Sequence, residues 1–474
     1  MSPTLAPTAR FAKHAATLPY EDLPQPLVTL LKQCVLDTLG VAIAATTLAP
    51  EAKIVHDYVS EFGGKPISTI WGYGGKAPAP WAAFVNGSLG HMVDYDDVGP
   101  GGHVSIVTIP VAFAVAEQLR GVNGRDFLAA IAAGTDIHTR LNSGIRIPDW
   151  TIAEGWFPTQ MFGFISGTAT AARLYGEDHD TIENAFGIAF TQMSGSRQMA
   201  VGAATHLRSM QAGFSGQGSI LAADLARRGI VGSREVIEGR YGLFKTYVRT
   251  EPDWSAMLDG LGVDFPLLSL HGFKVWPACG YTRATNAAIK QLREQHKISP
   301  SDVEAITIIG GTGGTRLLSE PLDLKRRPKL SIDGKFSIPF TSAIMMAKGN
   351  VMLRDYTAEG LQDPAVLAMA DRVSYRDDPM YELPIGGHSA LSRPTVEIQL
   401  KTGKTYSCKA DGVPGDPRHP ASEELLEAKF RDCVSFSALK IPTKNIEQAI
   451  ASIRNLENLR DVTEIIRLLV PEAR

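Results

Sequence analysis

From residue 27 to about residue 270, apolar side chains recur at three- and four-residue steps and almost nowhere alternate, which restricts that stretch to packed helices. The run LVTLLKQCVLDTLGVAIAA shows the pattern most plainly, with Leu27, Leu30, Leu31, Cys34, Val35, Thr38 and Leu39 in step and Pro24 and Pro26 marking its start. Further helices are expected at 80–90, 105–120, 126–139, 160–175, 181–193 and 214–228. Their density of Ala, Gly, Ser and Thr suits helices that approach one another closely. Beyond residue 270 the texture changes. A helix is expected at 281–296, VEAITII (303–309) alternates as a strand, and PTVEIQLKTGKTYSCK (394–409) reads as a hairpin turning at Thr402-Gly403. The tail returns to helix at 423–433, 445–453 and 461–469. The expected fold is mainly α: a large all-helical domain formed by both chain ends (1–269 and 412–474), with a smaller α+β domain (270–411) inserted.

The 474 residues are 44% hydrophobic, ample for a large core. Charge nearly cancels, with Lys+Arg 47 against Asp+Glu 50 for a net −3. That balance offers no bulk attraction to nucleic acid or to an anionic membrane, so a small-molecule partner is expected. Cys34, Cys279, Cys408 and Cys433 form no CxxC pair, which fits a reducing, cytoplasmic setting. The first twenty residues lack a continuous apolar segment, and no later run reaches eighteen apolar residues uninterrupted, so neither secretion nor membrane spanning is expected. Arg10 and Lys13 precede any acid, as in a mitochondrial transit peptide, but the segment equally reads as an ordinary first helix.

Chemistry concentrates in HMVDYDDVGPGGHVSIVTIP (91–110), which places His91, Asp94, Asp96, Asp97 and His103 within thirteen residues. Adjacent aspartates repel unless cations or donors lie near, so a folded site would shift at least one pKa. The run Gly99-Pro-Gly-Gly102 cannot be helix interior, which puts His103 on a loop leading into the next helix. A loop histidine facing carboxylates can form an acid/base pair. The same residues could instead be a solvated turn with a capping His91 and a core His103. A metal site is a third reading, although no HExxH, paired CxxC or EF-hand spacing supports it.

Elsewhere, Lys274-Val-Trp-Pro-Ala-Cys279-Gly sets a cation and a thiol before a helix N-terminus, where a carboxylate could bind; a solvated lysine and an inert cysteine are the plainer reading. Arg208 and Arg283 suit bidentate carboxylate recognition. The run Gly310-Gly-Thr-Gly-Gly314 lacks a trailing GK[ST] and GxGxxG spacing, so it reads as a loop rather than a phosphate cradle.

Seven segments in order resemble the MmgE/PrpD superfamily along almost the whole chain. They are Leu36-Asp-Thr-Leu-Gly40; the stretch from Ala83 to Asp97 with His103; Gly155-Trp-Phe-Pro-Thr159; Gln211-Ala-Gly213; Lys274 to Gly280; Asp333-Gly-Lys-Phe-Ser337; and Pro414-Gly-Asp-Pro417 with Lys429-Phe430. The resemblance implies a helical domain with an α+β lid, an active site between them, a homodimer, and catalysis with neither metal nor organic cofactor. It also implies chemistry at a carbon beside a carboxylate: members dehydrate 2-methylcitrate, decarboxylate cis-aconitate or epimerise iminodisuccinate. Carried onto this sequence, His103 is the acid/base group, Asp94 orients or binds, and Lys274 holds a substrate carboxylate. Three positions depart from the family pattern. Phe157 stands where a histidine commonly precedes Pro-Thr, Arg208 replaces a usual lysine, and Arg283 a usual histidine. Positive charge is kept while titratable groups are lost. With Asp97, His91 and Cys279, these three are taken as candidate substrate-binding positions. The expectation is a cofactor-free lyase on a small di- or tricarboxylate, foremost a dehydratase of a 2-methylcitrate-like acid. Decarboxylation of a cis-aconitate-like acid, epimerisation of an iminodisuccinate-like one, and a non-catalytic carboxylate-binding paralogue are the alternatives.

Overall fold

The computed structural model describes residues 6–146, 155–200, 205–311, 316, 318–378, 394–410 and 412–470. It is mainly α, 60% helical and 8% strand. The chain divides into two compact units: one takes in residues up to Arg146 and as far as His271 and resumes at Ser422, the other runs from Gly272 to Ala421.

The first unit is built on the helices α1 (Pro7–Thr17), α2 (Gln25–Leu48), α3 (Pro50–Phe62), α4 (Ala79–Met92), α5 (Ser105–Gln118), α6 (Gly124–Ser143), α7 (Pro158–Leu174), α8 (His179–Gln192) and α9 (Leu207–Ala226). Prolines in the first turn start α2, α3, α4 and α7, where a missing N–H costs nothing. Small residues set the spacing. A Cβ on Gly213 of α9 would lie 2.3 Å from the Phe84 carbonyl oxygen of α4, and one on Gly87 of α4 would lie 3.1 Å from the Ala212 carbonyl oxygen. The helix that carries His91 in its last turn therefore lies backbone to backbone against the helix that carries Arg208 in its first. Ser219 of α9 likewise donates to the Gly163 and Phe164 carbonyls of α7, both at 3.2 Å.

α2 is long and apolar enough by composition to cross a membrane, yet most of it is buried inside the protein. One of its covers comes from the far end of the chain. A Cβ on Gly40 would lie 2.9 Å from the Phe430 ring, which belongs to the helix Glu423–Ser435. The expected all-helical character before residue 270 needs one small correction: β1 (Ser68–Thr69) and β2 (Lys76–Ala77) pair as a two-residue antiparallel ribbon, too short to leave an alternating pattern.

The second unit holds a four-stranded sheet in the order β4-β3-β5-β6, with β3 (Val303–Gly310), β4 (Val373–Asp377), β5 (Thr395–Leu400) and β6 (Thr405–Lys409). β5 and β6 form the hairpin, with Gly403 at φ 86°, a left-handed position that glycine adopts freely. β4 has no counterpart among the expected strands. It is a five-residue edge strand with mostly polar side chains, and it pairs parallel with β3, so its existence depends on that partner. Ile306 and Ile308 of β3 and Val396 and Ile398 of β5 bury against Ile289 and Leu292 of the helix Arg283–His296 and Phe340 and Ile344 of the helix Ile338–Lys348. Of the Gly310–Gly314 run, Gly310 closes β3, and residues 312–314 lie outside the described residues.

Candidate active site

α4 delivers His91 at its last turn, and the chain then leaves the helix through Asp94, whose φ of 49° is left-handed. Aspartate tolerates that region better than most residues, and the bend turns the two following aspartates toward the imidazoles on either side. Asp96 lies between His91 and His103: Oδ1 is 3.0 Å from His91 Nδ1 and Oδ2 is 2.7 Å from His103 Nδ1. The two rings stand 4.5 Å apart between centroids. His103 Nδ1 is also 2.8 Å from the Asp97 carbonyl oxygen. Both neighbours of that nitrogen are acceptors, so Nδ1 carries the hydrogen and Nε2 is left as the nitrogen able to exchange a proton.

Burial separates the two histidines. The His91 side chain is wholly enclosed, and burial pushes its pKa down to about 4 against the pull of Asp96, so it is neutral and serves to fix Asp96. His103 retains 14% exposure. Its backbone N–H donates to Thr159 Oγ1 at 3.0 Å, so the Trp-Phe-Pro-Thr segment supports the site through its last residue. Phe157 precedes α7, and Thr159 in the first turn holds the main chain of the catalytic candidate. The Phe157 ring carries the Arg197 guanidinium 5.7 Å from its centroid.

Asp97 and Arg208 complete the cluster. His271 Nε2 lies 2.6 Å from Asp97 Oδ2, and the Ser105 hydroxyl donates to the same oxygen. Burial opposes charge on Asp97, but His271 and Ser105 outweigh it and hold its pKa below the ordinary carboxylate value. Asp97 is thus an internal anchor rather than an open ligand-binding group. Arg208, 16% exposed, brings Nη1 to 4.0 Å from Asp94 Oδ1 and supplies the fixed cation beside the loop. Below the loop, Lys429 Nζ donates to the Tyr95 carbonyl at 2.6 Å and pairs with Asp37 at 2.6 Å. Burial raises the Asp37 pKa to about 6 despite that lysine.

The candidates in the second unit are placed differently. Lys274 is buried, 1% exposed, and Cys279 is buried with its N–H donating to the Lys335 carbonyl at 3.1 Å. Arg283 is 2.6 Å from Asp416 Oδ1 and donates to the Pro414 carbonyl at 3.1 Å, so it ties down the Pro-Gly-Asp-Pro loop. That use explains why an arginine stands there without invoking a ligand.

Among the described residues, two donor sets could hold a metal ion, His91 with Asp96 and His103, and Cys34 with Asp97 and His271, each with its ligand atoms within 4.8 Å. In the first, both imidazole Nδ1 atoms already donate to Asp96, so a metal would have to replace those hydrogen bonds.

Local reading of the sequence does not assign Thr159, His271 or Lys429 to the site. Thr159 and Lys429 stand in motifs that carry the family resemblance, whereas His271, 174 positions from Asp97, leaves no local signal.

Geometry alone defines a class here, an acid/base site held in a buried carboxylate-histidine frame; comparison with known proteins supplies the family. The MmgE/PrpD N-terminal domain matches residues 9–255 and the MmgE/PrpD C-terminal domain residues 276–455. The chain belongs to the MmgE/PrpD family and is an enzyme of the lyase class. It is 25% identical over 474 residues to human cis-aconitate decarboxylase, covering 98% of this chain and 94% of that one. It is 25% identical over 492 residues to the cis-aconitate decarboxylase-like protein oryM of Aspergillus oryzae (98% and 97% covered), and 23% identical over 481 residues to cis-aconitate decarboxylase of Aspergillus terreus (98% and 95%).

Proposed function

We propose that this protein is a carboxy-lyase acting on a small unsaturated di- or tricarboxylate of the cis-aconitate kind, with His103 Nε2 as the proton carrier. The observation that carries the reading is the orientation of His103. Asp96 and the Asp97 carbonyl occupy Nδ1 and leave Nε2 to deliver a proton. In such an acid the bond to the departing CO₂ breaks and its electron pair becomes a new C=C bond. The former alkene pair then takes the proton on the carbon beside a remaining carboxylate. Negative charge gathers on that carboxylate as the bond breaks, and Arg208 is the fixed cation proposed to meet it. Lys274 remains a proposed carboxylate-binding residue.

The relatives named as cis-aconitate decarboxylases favour decarboxylation over the dehydration expected at first, and so does Phe157, which removes one proton-transferring group. Dehydration is the second reading, because the same imidazole can take a proton beside a carboxylate while hydroxide leaves. A screen of di- and tricarboxylates, followed by mass spectrometry, separates them: loss of the mass of CO₂ supports the first, loss of water the second. Deuterium from D₂O entering unreacted substrate with neither loss points to an epimerase. Tight binding of such acids with no turnover would leave a carboxylate-binding protein and overturn the proposal.

A further inference from the structure

We propose that His271 is a positioning residue for His103, acting through Asp97. Asp97 faces two ways. Its main-chain oxygen receives His103 Nδ1 at 2.8 Å, while its side-chain Oδ2 receives His271 Nε2 at 2.6 Å and the Ser105 hydroxyl. Where the carboxylate is anchored therefore sets where the carbonyl stands, and the carbonyl is one of the two acceptors that fix the His103 ring. The loop between them has little slack. Gly99 and Gly102 exchange both backbone hydrogen bonds, at 2.8 and 3.0 Å, and a Cβ on Gly99 would lie 3.5 Å from His271 Cδ2, so the His271 ring also supports the bend. On the opposite side, a Cβ on Gly102 would meet Thr159 Oγ1, the group that receives the His103 N–H.

His271 itself has little freedom. It is 4% exposed and its Nε2 is 3.6 Å from Cys34 Sγ of α2. Burial raises the Cys34 pKa well above the ordinary value, so the thiol is neutral and competes weakly for the imidazole hydrogen. The Asp97 carboxylate is then the acceptor for that hydrogen. A histidine present only to neutralise Asp97 would do so from any direction; this one also braces the glycine bend that carries His103.

The kinetic part of the test rests on the proposed proton-carrier role of His103, whereas the spectroscopic part does not. His271→Leu removes the donor, and His271→Gln returns an amide N–H near the position of Nε2. Positioning predicts that His271→Leu lowers kcat about 10–100-fold with KM within about twofold, and that His271→Gln recovers most of it. In ¹⁵N-histidine NMR spectra, the Nδ1 signal that disappears in His103→Gln should shift in His271→Leu as the Asp97 carbonyl moves off Nδ1, whether or not a substrate is known. An unchanged signal and an unchanged kcat, with only a lowered thermal midpoint, would overturn the proposal. Should His271→Leu not fold, Ser105→Ala withdraws the other hydrogen bond to the same oxygen. A partial shift of the His103 signal then supports the proposal, and no shift overturns it.

Discussion

Two buried ionic clusters in the first unit use the same residue types toward opposite ends. In one, Arg140 is 1% exposed and fully engaged: Nε donates to both Asp136 oxygens at 3.0 Å, and the two terminal nitrogens reach the carbonyls of Met257, Asp259, Gly260 and Asp264 at 2.6–3.2 Å. His14 Nε2 lies 3.1 Å from the same aspartate. In the other, Asp96 joins His91 and His103, yet His103 keeps a partly exposed ring with one nitrogen outside the hydrogen-bond frame. Histidine beside aspartate is thus not the mark of a reactive centre. The first cluster exhausts its donors on backbone and closes a loop, whereas the second spends its bonds on holding a single nitrogen available.

The sharpest test of that contrast is His103→Ala. Turnover should fall by about 10²–10⁴-fold while the thermal midpoint barely moves. Collapse of the fold would place both clusters in one structural class. Arg140→Met should do the reverse. It leaves Asp136 with His14 as its remaining partner and takes the guanidinium donor from four carbonyls, so urea denaturation should show a loss of about 3–5 kcal/mol, with normal activity per folded molecule. The smallest effect is the pH dependence of stability. Burial holds both His91 and His138 at about 4, from an ordinary 6.5, so between those values the unfolded chain binds protons that the folded chain refuses, and stability rises with pH. Each histidine contributes roughly 3 kcal/mol at most across the window. Asp37 opposes them: raised from 3.8 to about 6, it lets the folded chain keep a proton that the unfolded chain releases. Denaturation midpoints should therefore climb from pH 4 to 6.5, less steeply in His138→Gln and more steeply in Asp37→Asn.

Much of the fold was legible because helices report themselves locally. The pattern around Leu27 to Leu39 falls on a helix, the helix expected at 214–228 is present but starts earlier, at Leu207, and the return to helix after residue 423 is there too. The strand Val373–Asp377 was not legible, because its own side chains carry little burial pattern and its pairing comes from β3. Within the site, the aspartate-histidine loop stood out by its composition. Arg283 looked equally suited to a ligand, yet its guanidinium is taken by Asp416 and a carbonyl. No local feature could separate the two cases, since a cation's role depends on which acceptor reaches it.

By itself, the sequence determined the helical class, the order of the motifs, and the loop on which acid/base residues gather, since periodicity, proline and glycine act over a few neighbouring positions. Only the tertiary structure decided which nitrogen of His103 is left open and that His271 meets the Asp97 carboxylate beside it. Those assignments depend on hydrogen bonds a few ångströms long between residues far apart in the chain, and only packing brings such residues together.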